Sequence, residues 1–213
     1  KRGVVMRIIN TAFAHCNVDQ RQQRFQFKRQ TQNAEQIQDL NHLVREKIKI
    51  AIVTETWMPE INGVSLSLLN ICKGLQKKGH KILLIRPSQK EPCSEFVPNK
   101  ECVVNGQAIP KYQQMQVGWP QCRKVSQAFD EFSPDLVHIV TEGPLGLAVL
   151  QVAKSKNISV TSGFHSSFQD FGRFYNLSFL IKPIQHYLKW FHNNTLVTCV
   201  PSQDTADAIR KFG

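Results

Sequence analysis

The sequence lacks several features that would assign it to a well-defined class of protein. Its six cysteines are scattered among 213 residues with no Cys-x-x-Cys pair, so neither a zinc site nor a dithiol redox motif is indicated. No apolar run approaches the ~18 residues that a membrane-spanning helix needs, and no secretory signal is recognisable. We therefore expect a cytoplasmic chain whose cysteines are reduced thiols.

Several catalytic motifs are missing as well. There is no Asp-x-Asp pair for a divalent metal, no His-Glu-x-x-His and no Gly-x-Ser-x-Gly, which argues against metal-dependent chemistry and serine hydrolysis. Neither Gly-x-Gly-x-x-Gly nor the phosphate-binding loop Gly-x-x-x-x-Gly-Lys-Ser/Thr is present, so a dinucleotide or P-loop site is not indicated. The sequence thus predicts no metal and no cofactor.

Positive charge is concentrated at the N-terminal end. Residues 1–49 hold ten Lys/Arg and four Asp/Glu, which is +6 of the formal net charge of +11, and eight glutamines lie between Gln20 and Gln38. We interpret residues 1–46 as a basic, Gln-rich extension outside the fold, disordered or partly helical. Such an arm could contact anionic lipid or nucleic acid, or stay solvated. No nucleic-acid partner is expected, because aromatic residues do not interleave with the basic ones.

From Lys47 onward, strand-like and helix-like segments alternate. Continuous apolar runs predict buried strands, and apolar residues at 3- and 4-residue spacing predict helices between them. The predicted strands are 48–54, 81–86, 101–104, 135–141, 158–162 and 196–200, and the predicted helices are 64–78, 120–132, 144–155, 178–193 and 202–211, with the rest of 88–118 irregular. Buried strands separated by helices indicate an α/β fold, a doubly wound Rossmann-like parallel sheet over residues 47–213.

The first candidate site is the loop that follows the first predicted strand. In a doubly wound sheet, ligands bind at the carboxyl ends of the strands. Asn62-Gly63 lies there at the entrance to a predicted helix, where a glycine lets a ligand approach the backbone and free N–H groups attract anions. A phosphate site and a plain strand-to-helix turn both fit this pattern.

Two further candidates follow later strands. His165 in Gly-Phe-His-Ser-Ser comes just after a predicted strand; it could contact a sugar hydroxyl or a phosphate, transfer a proton, or hold a local carbonyl. In Thr-Glu142-Gly143-Pro-Leu-Gly, two glycines and a proline suit either close approach of a ligand or a helix entry. The other histidines discussed lie inside a strand or on an amphipathic helix and compete less well: His138, His186 and His192.

The predicted helix 178–193 carries an apolar face beside two lysines and two histidines. Such a helix could lie on a membrane surface. It could equally pack against the sheet, because the helices of an α/β domain need an apolar face of this kind.

Four separated stretches together resemble one family. They are "KIAIVTETWMPEINGVSLSLLNICKGLQKKGHKILLIRP" (49–87), "SPDLVHIVTEGPLG" (133–146), "GFHSSFQDFGRFYN" (163–176) and "PIQHYLKWFHNNTLVTCVPSQDTADAIRKFG" (183–213). In this order they resemble family 4 glycosyltransferases of the GT-B fold over about 165 residues. Within the family, the likeness is greatest to the branch of lipid α-mannosyltransferases and sulfoquinovosyltransferases.

The resemblance implies a two-domain enzyme in which the N-terminal domain holds the acceptor and the C-terminal domain holds a nucleotide-sugar. Transfer of the hexose to a lipid or glycan acceptor would be retaining and metal-independent. Carried over by motif, His165 would contact the transferred sugar near the reacting centre. The residues implied to approach the donor diphosphate, line the cleft or meet an anionic acceptor are Asn62, Gly63, Glu142, Gly143 and Arg173.

The likeness ends at Gly213, where the linker to the second domain of such enzymes begins. We therefore expect an acceptor-side fragment without the donor-binding domain and with little or no transfer alone. The start at Lys1 rather than methionine fits a fragment or a translated upstream region. The alternative is a non-catalytic module that binds an acceptor or a membrane surface, and either protein could lie peripherally on the cytoplasmic face of an anionic membrane.

Overall fold

A computed structural model describes residues 47–89, 95–109, 112–165 and 178–212 of the chain. The predicted extension over residues 1–46 lies outside these ranges. Strands and helices alternate through most of the described part, with bounds as follows: β1 (Lys49–Val53), α1 (Gly63–Lys77), β2 (Lys81–Pro87), β3 (Lys100–Val104), β4 (Gly106–Ile109), β5 (Tyr112–Gly118), α2 (Cys122–Phe132), β6 (Leu136–Ile139), α3 (Pro144–Ser155), β7 (Ser159–Gly163), α4 (Ser178–Asn193), β8 (Thr198–Cys199) and α5 (Gln203–Phe212).

Six of these strands form one parallel sheet in the order β3-β2-β1-β6-β7-β8. The chain builds outward from β1 to β3 and then returns to place β6 on the other side of β1. The strand order therefore reverses between β1 and β6, and a ligand crevice is expected outside the carboxyl ends of these two strands. The predicted doubly wound α/β fold is confirmed.

Apolar side chains cover both faces of the sheet, because successive residues of a strand point to opposite sides. On one face, Val53 and Ile139 pack in a cluster with residues of α2, α3 and α4. On the other face, Ile52 and Leu84 pack with residues of α1 and with Trp57. Burial on both faces explains why the strands appear in the sequence as continuous apolar runs.

The segment 88–118 corrects one prediction. The structure forms an antiparallel hairpin there, β4 and β5, in addition to β3. The strands GQAI and YQQMQVG contain no continuous apolar run, which is the feature that predicts a buried strand. The hairpin ends against α3, since a Cβ placed at Gly118 would lie 2.9 Å from the Cβ of Leu145.

The helices begin and end close to the predicted positions. The hydroxyl of Ser202 caps α5, because it accepts a hydrogen bond from the Thr205 N–H at 3.2 Å. The exception is α2, which begins at Cys122 rather than at Pro120. In the part of the chain that the structure describes, no helix combines the length and the apolar character needed to cross a membrane.

Alanine substitutions at two glycines, one in α1 and one in its C-terminal turn, should have opposite effects on stability. Gly79 has a φ of 89°, and a Cβ there would lie 2.9 Å from the side chain of Lys47. Gly74 lies inside the helix, where a Cβ would meet nothing within 4 Å. We expect Gly79→Ala to lower and Gly74→Ala to raise the free energy of unfolding, each by about 1 kcal/mol. Urea denaturation measures both, and a gain from Gly79→Ala would contradict the left-handed conformation.

Candidate functional site

The loops after β1 and β6 meet where the strand order reverses. The Glu55 N–H donates to the hydroxyl of Thr141 at 3.0 Å, and the Val140 N–H donates to the carbonyl of Val53 at 2.8 Å. The end of β7 lies beside β6, so His165 follows the next strand at the same edge. The structure therefore brings together the residues that follow three neighbouring strands.

Glu55 lies at the centre of this arrangement, although it is not among the predicted site residues. Its Oε1 accepts the N–H of Leu145 at 3.1 Å, and the N–H of Gly118 is a second donor to the carboxylate. The N-cap of α3 is Gly143, which has no side chain to cap the helix. Glu55 thus provides the missing cap from a neighbouring strand, 90 residues away along the chain.

Gly143 is tightly covered by this carboxylate. A Cβ at Gly143 would lie 1.9 Å from Oε2 of Glu55, so only glycine fits beside it. The close approach predicted at Gly143 exists, but the group that approaches it in the structure is the side chain of Glu55. The implied contribution of Gly143 to a ligand-lined cleft stays a prediction.

The environment of Glu55 changes its acidity. Burial raises the pKa of Glu55 to about 7, the hydrogen bonds from Leu145 and Gly118 lower it, and the charge of Glu142 adds to the rise. Burial outweighs the hydrogen bonds. At neutral pH, Glu55 is therefore divided between a protonated form, which can donate a hydrogen bond, and an ionised form that only accepts.

Asn62 and Gly63 differ in how much of each residue is left available to bind a ligand. Oδ1 of Asn62 accepts the Ser65 N–H at 2.8 Å, and its Nδ2 donates to Thr56 Oγ1 at 2.6 Å and to Glu60 Oε1 at 3.0 Å. The Asn62 side chain is therefore engaged in capping α1 and closing its own loop. A Cβ at Gly63 would meet nothing within 4 Å, so there is open space beside the backbone at Gly63.

His165 lies against the end of β7. A Cβ at Gly163 would lie 2.7 Å from Nε2 of His165, so the imidazole ring is folded over this glycine. Burial lowers the pKa of His165, and the charge of Glu142 opposes that shift without reversing it. His165 is therefore a neutral imidazole at pH 7, able to donate or accept one hydrogen bond. The buried His138 has a pKa lowered to about 4 by burial and by the charge of His165.

Glu142 is held by two residues of α4. Its Oε1 lies 3.2 Å from Nε2 of His192, and the hydroxyl of Tyr187 donates to its carbonyl oxygen at 2.6 Å. From the sequence, this helix is expected only to pack on the sheet or to face a membrane, and His192 ranks below His165. The predicted apolar packing is present, with Phe191 fully buried. Helical spacing alone gives no reason to expect that two polar residues of this helix reach the site.

One predicted residue is not placed: Arg173 lies outside the described residues. Among the residues that are described, no group of three or more His, Cys, Asp or Glu could hold a metal ion. The candidate residues that the structure brings together at this edge are Glu55, Glu142 and His165, with the two α4 residues that hold Glu142. Gly63 begins α1, which follows β1.

Comparison with known proteins gives relatives that are glycosyltransferases. The family model described as Glycosyltransferase Family 4 matches residues 61–213. The GDP-mannose-dependent alpha-mannosyltransferase of Corynebacterium glutamicum is 26% identical over 169 residues, which is 78% of this chain and 41% of that protein. The alpha-monoglucosyldiacylglycerol synthase of Streptococcus pneumoniae is 20% identical over 167 residues, 78% of this chain and 38% of that protein. The chain thus spans less than half the length of these curated relatives.

A solved structure shows the same fold. Sucrose-phosphate synthase from Thermosynechococcus elongatus superimposes with a TM-score of 0.55 at 13% identity, covering 78% of this chain and 45% of that one. At this identity the likeness concerns the fold alone. It confirms the Rossmann-like half of a GT-B fold that the sequence predicts.

The unusual acidity of Glu55 predicts a specific dependence of stability on pH. The folded chain raises the pKa of Glu55 from 4.5 to about 7, so it holds the proton more tightly than the unfolded chain. This contribution to stability is complete below about pH 4.5 and is lost as pH rises through about 7, in total on the order of 3 kcal/mol. We expect Glu55→Gln, which keeps a neutral acceptor for Leu145, to remove that loss.

Urea denaturation at several values between pH 5 and pH 8 tests this prediction. Glu55→Gln should gain stability relative to the wild type as the pH rises. Glu95→Gln, which removes an exposed carboxylate paired with Lys73, is the control and should follow the wild-type profile. Parallel profiles for Glu55→Gln and the wild type would show that Glu55 keeps an ordinary acidity.

Proposed function

Because the chain belongs to glycosyltransferase family 4, we propose that its described domain is the acceptor-side part of a glycosyltransferase. The reaction is a retaining, metal-independent transfer of a hexose from a nucleotide-sugar to a lipid or lipid-linked acceptor. The observation that carries this proposal is the crevice at the reversal of strand order, where Gly63, Glu142 and His165 follow three strands of one sheet. Ligands of doubly wound sheets bind at this place.

The choice of substrates rests on the relatives. One relative is named as GDP-mannose-dependent, and another is named as the synthase of a glucosylated diacylglycerol. These names support a nucleotide-sugar donor and a lipid acceptor for this chain. With a lipid as the acceptor, we propose a cytoplasmic protein that lies peripherally on an anionic membrane surface.

The roles proposed for the residues follow from their surroundings. His165, a largely buried neutral imidazole, contacts a hydroxyl of the transferred sugar. The open backbone at Gly63 lets the donor diphosphate approach the start of α1. Glu142 and Gly143 line the cleft, and Arg173 meets an anionic acceptor.

A non-catalytic module that binds a membrane surface is the second candidate. The exposed aromatic ring of Trp190 on α4, which is 48% accessible, favours it, since Trp commonly lies at the boundary between lipid and water. An activity assay separates the two candidates.

Transfer should require a donor-binding domain in addition to the acceptor-side domain. We expect the 213-residue chain to convert negligible GDP-mannose when it is incubated with diacylglycerol in phosphatidylglycerol vesicles. The same residues within a complete two-domain enzyme should give measurable transfer. Robust turnover by the chain alone would contradict the acceptor-side assignment. Vesicle binding without transfer by the complete enzyme would instead favour the second candidate.

His165 should matter for the chemical step. In the complete enzyme, we expect His165→Ala to lower kcat/KM by at least about 10-fold, because a contact made in the transition state contributes over ~1.4 kcal/mol. His186→Ala, at an exposed histidine of α4, is the matched control and should leave kcat/KM unchanged. An unchanged kcat/KM for His165→Ala would remove this residue from the site.

A further inference from the structure

The α4 helix holds the loop at Glu142 at two points. The Tyr187 hydroxyl donates to the Glu142 carbonyl oxygen at 2.6 Å, which fixes the main chain. Burial, together with the charges of Glu142 and Glu55, raises the pKa of Tyr187 to about 12, so this hydroxyl remains a donor. His192 reaches the carboxylate of the same residue, with 3.2 Å between its Nε2 and Oε1.

The contact between His192 and Glu142 is buried and isolated. The two side chains are only 9% and 13% exposed. Neither Nε2 nor Oε1 has a hydrogen-bond partner among the described residues. Their own contact is not aligned as a hydrogen bond but lies within ion-pair distance. Because a buried polar atom without a partner is costly, the contact at ion-pair distance is the interaction that compensates these two atoms in part.

The other ring nitrogen of His192 belongs to a hydroxyl cluster. Nδ1 lies 2.9 Å from the hydroxyl of Ser162, which in turn lies 2.9 Å from that of Thr195. The Thr195 hydroxyl donates to the His192 carbonyl at 2.8 Å, so its proton is already used. The Thr198 hydroxyl lies 3.2 Å from that of Ser162 and 3.3 Å from Nδ1, so Nδ1 can accept a hydrogen bond from either of two hydroxyls.

The tautomer of His192 bears on its contact with Glu142. If Nε2 carried no proton, an imidazole lone pair would face a carboxylate oxygen at 3.2 Å in a buried site. When Nδ1 accepts from the hydroxyl of Ser162 or Thr198, the neutral ring carries its proton on Nε2 and directs it toward Glu142.

The order Ser162, His192, Glu142 is that of a hydrolase triad, but the arrangement cannot act as one. Ser162 is completely buried, and its hydroxyl is surrounded by His192, Thr195 and Thr198. No substrate carbonyl can reach it. The cluster instead fixes the rotation of the imidazole ring, with Phe164 and Phe191 packed edge-on against it, both at 5.5 Å between ring centroids.

We propose that His192 is the positioning residue for Glu142, and that Glu142 accepts a hydrogen bond from a hydroxyl of the acceptor. His192 lies against Oε1, so Oε2 is the carboxylate oxygen that does not face His192. The negative charge of Glu142, next to Glu55, disfavours a diphosphate at this point and favours a neutral hydroxyl. The assignment to the acceptor rests on the proposed function.

Two substitutions at His192 separate the contact with Glu142 from the contact with Ser162. His192→Gln keeps an N–H donor near the position of Nε2. His192→Asn keeps a polar group near Nδ1 and loses the group that faces Glu142. In urea denaturation of the 213-residue chain, the unfolding equilibrium constant of His192→Asn should exceed that of His192→Gln by at least about tenfold.

The same comparison in a Glu142→Ala background tests whether Glu142 is the cause. There, the difference between the Asn and Gln variants should disappear, because the partner of Nε2 is gone. A difference that persists would assign the effect to packing of α4 and would overturn the pairing. This arm needs no catalytic activity.

The acceptor arm uses the complete two-domain enzyme with GDP-mannose and diacylglycerol in phosphatidylglycerol vesicles. We expect His192→Asn to raise the KM for the acceptor by at least about tenfold while kcat and the KM for the donor stay close to wild type. His192→Gln should recover most of the loss, and His186→Asn, an exposed control on the same helix, should change neither constant.

Each failure has a distinct meaning. An unchanged acceptor KM for His192→Asn in an active enzyme would overturn the positioning role and leave the proposed function intact. No transfer by the unsubstituted enzyme would overturn the proposed function and, with it, the acceptor role of Glu142. The stability comparison would still decide whether His192 holds Glu142.

Discussion

The crevice depends on one buried carboxylate that caps a helix from outside. α3 begins with Gly143, which has no side chain, and Pro144, which has no N–H, so Leu145 presents the first backbone donor in need of an acceptor. Glu55 supplies that acceptor from the end of β1, and its carboxylate fills the space where a Cβ of Gly143 would lie. The start of α3 and the end of β1 are thereby fixed relative to each other, which a cap within α3 would not achieve. The helix dipole favours a negative charge at this position, yet burial outweighs it and leaves Glu55 with a pKa of about 7.

The loop between β6 and α3 is consequently held from two sides. On the side of β1, the carboxylate of Glu55 lies against Gly143. On the side of α4, Tyr187 and His192 contact Glu142. All three contacts are made by side chains from rigid elements or their immediate ends. A loop fixed in this way can present its polar groups to a ligand with little loss of conformational freedom on binding.

Much of the fold, but only part of the site, could be predicted from the sequence. The apolar runs of β1 and β2 and the apolar spacing in α1 predict the bounds of these elements to within about one residue. The hairpin of β4 and β5 was not predicted, because its strands are polar. Glu142 and His165 were found because they follow strands. Glu55 also follows a strand, but its importance comes from Leu145, 90 residues away. The contact of His192 depends on how α4 is rotated on the sheet, which spacing does not determine.

The charges in the crevice bear on which substrate this domain can hold. Glu55 is divided between its protonated and ionised forms at neutral pH, and His165 carries no charge there. Arg86, at the end of β2, is buried and committed to Glu101 at 2.7 Å. Around Glu142 and His165, the described residues therefore present a combination that suits a hydroxyl, whereas the diphosphate is proposed to approach the open backbone at Gly63. Under the proposed function, this combination fits the acceptor, because the nucleophile of glycosyl transfer is a hydroxyl.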